Sequence, residues 1–195
     1  MPFTQVGSNG IASTFATVPN PDGSVTGTVN TESQKATYSF ATAGTAIAAA
    51  ATDLLTISGS ATKTIRVLSV GIGGTATAAG VLDAVLIKRS VANNGGTSAN
   101  PTAVAHDSTD LAATATLGVY TANASTLGTS IGPLRAAKLN LSTTTGVGQP
   151  VVYNFTNLND KAPVLRGTNQ VLALNLNGGT AAGSSADLWI EWTEE

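Results

Sequence analysis

The sequence predicts an all-β protein, a single β-sandwich preceded by an extended arm, and three observations predict it. From Ala36 onward, short runs rich in Val, Ile, Leu, Thr and aromatic residues are separated by clusters of Gly, Asn and Pro, the texture of strands and turns. Within several runs apolar and polar residues alternate, as the two faces of a pleated strand require. No stretch sustains a 3.6-residue apolar period over three turns. Ala43 to Leu55 and Leu134 to Leu139 have room for a turn or two of helix and no more.

Residues 1 to 35 are rich in Gly, Ser, Thr, Asn and Pro, with isolated apolar residues Phe3, Ile11, Phe15 and Val18 that follow no period. They read as an extended N-terminal arm whose apolar residues contact a partner; the same composition also fits a disordered tail. Nine strand candidates follow between 36 and 195: ATYSFAT, TDLLTIS, KTIRVLSVGI, VLDAVLIKRS, TLGVYTA, SIGPLRAAKLNL, PVVYNFT, QVLALNLN and ADLWIEWTEE. In KTIRVLSV, Ile65 and Val67 are expected on one side and Arg66, Leu68 and Val70 on the other. In PVVYNF, Val151, Tyr153 and Phe155 share a face. VLDAVLI and VLALNL are apolar on both faces and belong mid-sandwich.

Turn chemistry separates the strands: GIGGTATAAG reads as a hairpin turn, and NNGG, TTTGVGQP and NGGTAAGSS supply glycine and asparagine for left-handed backbone. Val91 to Thr114 is a long polar connection containing Pro101, of a length that is usually functional or contact-making. The C-terminal run DLWIEWTEE is read as a sandwich edge able to pair with a partner strand. Its Trp189 and Trp192, three apart, point to opposite faces, one to the core and one to a neighbour or solvent. Nine candidates exceed the seven strands of the simplest immunoglobulin type, so a jelly roll is preferred.

Composition narrows the function. Charged residues are 10% of 195, against about 25% in an ordinary soluble domain. A surface of Gly, Ala, Ser, Thr and Asn suits a protein packed against neighbours. A net charge of −2 with nine scattered Lys and Arg offers no footprint for nucleic acid. Nothing in the chain has the length of a membrane span, and its start lacks the pattern of a secretory signal, so a soluble protein not exported by that route is expected. Zero cysteines exclude thiolate metal sites and cysteine nucleophiles.

The remaining chemistry is thin. TAVAHDSTD holds the one histidine, His106, followed by Asp107 and Ser108. Adjacent residues of one loop do not converge as a triad must, and no G-x-S-x-G elbow is present; Asx-type turns at Asp107, Ser108 and Asp110 are the expectation. A calcium site on Asp107 and Asp110 fits no EF-hand spacing. A sugar platform of Trp189 and Trp192 beside Glu191, Glu194 and Glu195 is an unspecific alternative. The basic residues, Lys63, Arg66, Lys88, Arg89, Arg135, Lys138, Lys161 and Arg166, read as solvated strand ends or in-chain pairs before contacts to neighbours. No enzyme activity, metal or cofactor is expected.

Three stretches carry a resemblance: ATKTIRVLSVGIGGTATAAGVLDAVLIKRSVANNGGTSANPTAVAHDS, AATATLGVYTANASTLGTSIGPLRAAKLNL, and VLRGTNQVLALNLNGGTAAGSSADLWIEWTEE. Together they resemble a group of tailed-bacteriophage and prophage virion structural proteins, over about Ala36 to Glu195. The resemblance implies a head decoration (cement) protein: a jelly-roll homotrimer on the capsid surface, made in the host bacterial cytoplasm, with the major capsid protein as partner. A tail fibre or receptor-binding, glycan-binding virion protein is the alternative. Partner contacts are then expected at Phe3, Ile11, Phe15, Val18 and Trp189.

Overall fold

The computed structural model describes residues 35–143, 148–156 and 161–195, together with four three-residue strands before them. Strand β1 (Thr4–Val6) pairs with β2 (Ala12–Thr14), and β3 (Thr17–Pro19) with β4 (Val25–Gly27), both antiparallel. These hairpins lie in a first compact unit, Met1–Lys35, and Ala36–Glu195 forms a second. Sequence pattern assigns no strand before Ala36 because three residues are too few to display a period of two.

The second unit contains β5 (Ala36–Ala46), β6 (Ala51–Ser58), β7 (Ile65–Thr75), β8 (Gly80–Arg89), β9 (Thr97–Ala99), β10 (Val104–Ala105), β11 (Thr116–Ala122), β12 (Ser130–Leu141), β13 (Val151–Asn154), β14 (Val164–Leu165), β15 (Val171–Gly179) and β16 (Ser185–Glu194). They form two antiparallel sheets, consistent with a sandwich. Sheet I has the order β10-β5-β16-β7-β13, with β14 also on β7; sheet II has the order β12-β8-β15-β6-β11-β9. All nine sequence candidates are strands, and no helix occurs among the described residues. The pairings nest: β5 with β16, β6 with β15, β7 with β13 and β8 with β12.

The core lies between the sheets. Ile65, Val67, Val70 and Ile72 of β7 and Leu188, Ile190 and Trp192 of β16 belong to the same buried cluster as Leu55 and Ile57 of β6, Leu86 of β8 and Leu172 and Leu174 of β15. Each fully buried side chain of this size stabilises the fold by about 1.5–3 kcal/mol. The Tyr153 hydroxyl on β13 donates to the Ala84 carbonyl on β8 at 2.7 Å, joining the two sheets. Val151, Tyr153 and Phe155 are all buried, as their alternation predicts.

Several expectations are corrected. Val70 is buried with Ile65 and Val67, because the register against β16 skips a residue between Val67 and Ser69. That bulge at Leu68 returns the next odd-even step to the core side. Ala43 to Leu55 and Leu134 to Leu139 are strand or turn, because pairing of β5 with β16 and of β12 with β8 overrides local alanine propensity. GIGGTATAAG does not close a hairpin: β7 and β8 lie in different sheets, and the segment carries the chain between them. The C-terminal strand is not an edge, since β16 lies between β5 and β7. Of TTTGVGQP, residues 144–147 lie outside the described residues.

The connection from Val91 to Thr114 also differs from a plain loop. It supplies β9 to sheet II and β10 to sheet I. Residues 90–94 run antiparallel to 126–129: Ser90 N–H donates to the Thr129 carbonyl at 2.9 Å, and Asn94 and Thr126 exchange backbone bonds of 2.9 and 3.0 Å. The β8–β12 pair therefore continues as a two-stranded ribbon. It leads to β9 and β11, which extend sheet II beyond β6, at the edge opposite β12.

Candidate functional site

Phe3, Ile11 and Phe15 lie outside the described residues. Val18 stands on β3 opposite Thr26, and its side chain is likewise outside them. His106 is exposed, and its backbone N–H donates to the Thr37 carbonyl at 2.8 Å, next to the β10–β5 pairing. Asp107 accepts the Thr109 N–H at 2.9 Å and the Thr109 hydroxyl at 2.7 Å, which hold its carboxyl below the usual range. The Asx turn forms as expected, and Asp107 is directed to Thr109 rather than to the imidazole. Among the described residues no group of three His, Asp or Glu side chains is placed to hold a metal ion.

Trp189 and Trp192 take opposite environments. Trp192 is fully buried and stacks on Tyr38, its register partner, with ring centroids 5.9 Å apart. It is therefore not available to a sugar platform. Trp189 is half-buried on the outer face of sheet I, beside Ala41, Thr42, Ala43, Asp187 and Leu188. Its indole covers Gly71, where an added Cβ would lie 1.9 Å from Cε2. Only glycine admits the ring in this pose. Val152, 54% exposed, pairs with Gly71, and Ala41 pairs with Trp189, so an apolar row Val152–Gly71–Trp189–Ala41 crosses this face.

The outer face of sheet II is roofed instead. Val171 and Ala173 of β15 are buried there outside the main core cluster, beside a buried ion pair. Arg89 at the end of β8 donates from Nε and Nη2 to Asp53 of β6 at 2.8 and 2.7 Å, and from Nη1 to the Gly128 carbonyl at 2.7 Å. Asp53 also accepts from Asn93 at 2.9 Å and from Asn175 at 2.6 Å, while Asn93 Oδ1 takes the Gly128 N–H at 2.9 Å. Four donors thus serve one buried carboxylate. The network fastens the ribbon to β6, β8 and β15.

Glu194, near the end of β16, ties down the same insertion at a second place. Its carboxylate accepts from the Thr114 N–H and hydroxyl, the Ala115 N–H and the Trp192 indole N–H at 2.6–3.1 Å, with the Lys63 ammonium 3.6 Å away. Burial pushes this carboxyl up, but the hydrogen bonds outweigh it and hold the group below the usual carboxylate range. The neighbouring Tyr38 hydroxyl donates to the Leu111 carbonyl at 2.7 Å. Burial, followed by the nearby charges of Glu194 and Asp110, raises its pKa.

Four further basic side chains act within the chain. Arg66 pairs with Glu195 and Lys138 with Asp83, Lys88 donates to the Val164 carbonyl at 2.8 Å, and the Arg135 guanidinium sits 5.6 Å from the centre of the Phe155 ring. Sequence reading sees Asp53 as one dispersed carboxylate and Arg89 as a strand end. Their union across 36 residues had one legible signal, a lone acid inside the otherwise uncharged strand run TDLLTIS. The chain matches no protein-family model, no curated protein and no solved structure.

Proposed function

We propose that the protein is a virion structural protein of the tailed-phage type, a capsid decoration or cement protein without enzymatic activity. In this reading the sandwich is a jelly roll that associates as a homotrimer and locks onto the major capsid protein from outside the head. The observation that carries the proposal is the nesting of strands. Taking β5, β6, β7, β8, β12, β13, β15 and β16 as eight consecutive strands, first pairs with last, second with seventh, third with sixth and fourth with fifth. That order is what a long antiparallel hairpin gives when it is rolled into two sheets, an architecture frequent in capsid proteins.

Two surfaces support the partner assignments. The row centred on Trp189 is an aromatic anchor of the kind that dominates interface energy, and it is assigned to the capsid protein. Edge strand β12 exposes Ile131 and Leu134 and is assigned to self-association. Its register breaks at Ser130/Gly132 and Pro133/Arg135 disfavour strand addition, so the contact is through side chains. The first unit adds a further contact, and several weak contacts together give avidity. Immunogold labelling of source particles tests the reading: label spread evenly over heads is expected, and label confined to tails overturns it in favour of a fibre. Deleting residues 1–35 is expected to weaken particle association while the sandwich stays folded, and undiminished binding would remove the arm from the proposal.

A further inference from the structure

A pocket of about 140 Å³ opens on the roofed side, where the outer face of sheet II meets the ribbon. Its floor is the buried Thr56, Gly118 and Val171. A Cβ at Gly118 would lie 2.6 Å from Thr56 Oγ1 and 3.4 Å from the Tyr120 ring, so the missing side chain keeps the floor open. Asn93 forms part of the wall and is held rigid by its bonds to Asp53 and Gly128. Around these stand Ser58, Ser98, Asn100, Thr116 and Tyr120. Among the described residues the side-chain polar groups of these five make no hydrogen bond, whereas those of the adjoining Asp53 network are all engaged.

The geometry points to a binding site for one neutral sugar ring, a hexose or N-acetylhexosamine. Hydroxyls both donate and accept, which suits a ligand whose own groups are hydroxyls. No Lys, Arg, His, Asp or Glu lines the pocket, which disfavours phosphate, carboxylate and metal ions. The half-buried Tyr120 ring offers apolar surface to the carbon face of a pyranose. The volume is close to that of a cavity of about 150 Å³ that takes one six-membered ring, so a single ring seated in the open mouth fits and a chain does not. So small a ligand is expected to bind with a Kd of about millimolar order.

The test is a titration of the full ¹⁵N-labelled chain with methyl α-D-glucopyranoside, methyl α-D-galactopyranoside and N-acetylglucosamine, each up to about 50 mM to span the expected affinity. Saturable amide shifts clustered at Ser58, Ser98, Gly118 and Tyr120 are expected with at least one sugar, and none with inorganic phosphate. The Ser98→Ala and Tyr120→Phe variants, whose other amide signals report that the fold is kept, are each expected to weaken binding at least threefold. Absence of a saturable shift with all three sugars, shifts centred on Trp189, or undiminished affinity in both variants overturns the assignment. A glycan array then separates the sources: retention on sugar-terminated chains assigns a glycan end as ligand, and free-sugar binding without retention assigns the monosaccharide.

Discussion

On the outer face of sheet II, Asp53, Arg89 and Asn175 are buried beneath a ribbon that their own hydrogen bonds hold in place. On the outer face of sheet I, Trp189 rests on Gly71 and is half-buried. Both faces begin as the outward positions of ordinary alternating strands. The difference is the insertion between β8 and β12, which turns the outer face of sheet II into a second, polar interior. A charged residue in a strand is therefore compatible with deep burial where a neighbouring segment supplies its partners.

The largest effect is expected from removing the anchor of the roofed face. Asp53→Ala strands the Arg89 guanidinium without its carboxylate and is expected to cost about 3–5 kcal/mol, read by chemical denaturation. A loss below about 1 kcal/mol, the range of surface ion pairs, would mean that the ribbon holds without the network and that the two faces differ less than their burial indicates.

Next in size is the second fastening of the insertion. Glu194→Gln turns an amide N–H toward a cluster of donors, and a loss of about 2 kcal/mol is expected. Because hydrogen bonding lowers the folded-state pKa of Glu194 below its ordinary value of 4.5, its contribution is fully present above that value and is lost as pH falls through the depressed one. Denaturation of the wild type and the variant at stepped pH should show their stability difference shrinking on acidification below about pH 4.5. A difference independent of pH would place the effect in packing alone.

On the open face, Gly71→Ala is expected to displace the Trp189 ring at a cost of about 1 kcal/mol, the low end for overpacking because the ring can swing into solvent. Tryptophan fluorescence should shift to the red while the buried Trp192 contribution is kept. An unshifted spectrum would mean that the ring is already solvated. The smallest effect is expected at His106→Ala, within about 0.5 kcal/mol and neutral for particle assembly; a measurable loss of any activity in that variant would reopen the polar loop as a chemical site.

Much of the fold was legible. The nine main strands announced themselves because their buried positions are β-branched or aliphatic at a period of two and their ends carry Gly, Asn or Pro. Strands of two or three residues, such as β9, β10 and β14, were not, since so short a run displays no period. The bulge at Leu68 was also hidden, because local alternation does not reveal which residue a partner strand will skip.

Composition and pattern alone determined that the described chain is all-β and that Asp107 makes an Asx turn. Those properties follow from nearest neighbours along the chain, where steric preference and side-chain hydrogen bonds act over a few residues. Only the tertiary structure decided that β16 is central, that Trp192 is buried while Trp189 is not, and that Asp53, Arg89, Asn93 and Asn175 meet. Those outcomes depend on contacts between residues tens of positions apart, which become favourable only once the sheets have paired and water has been excluded between them.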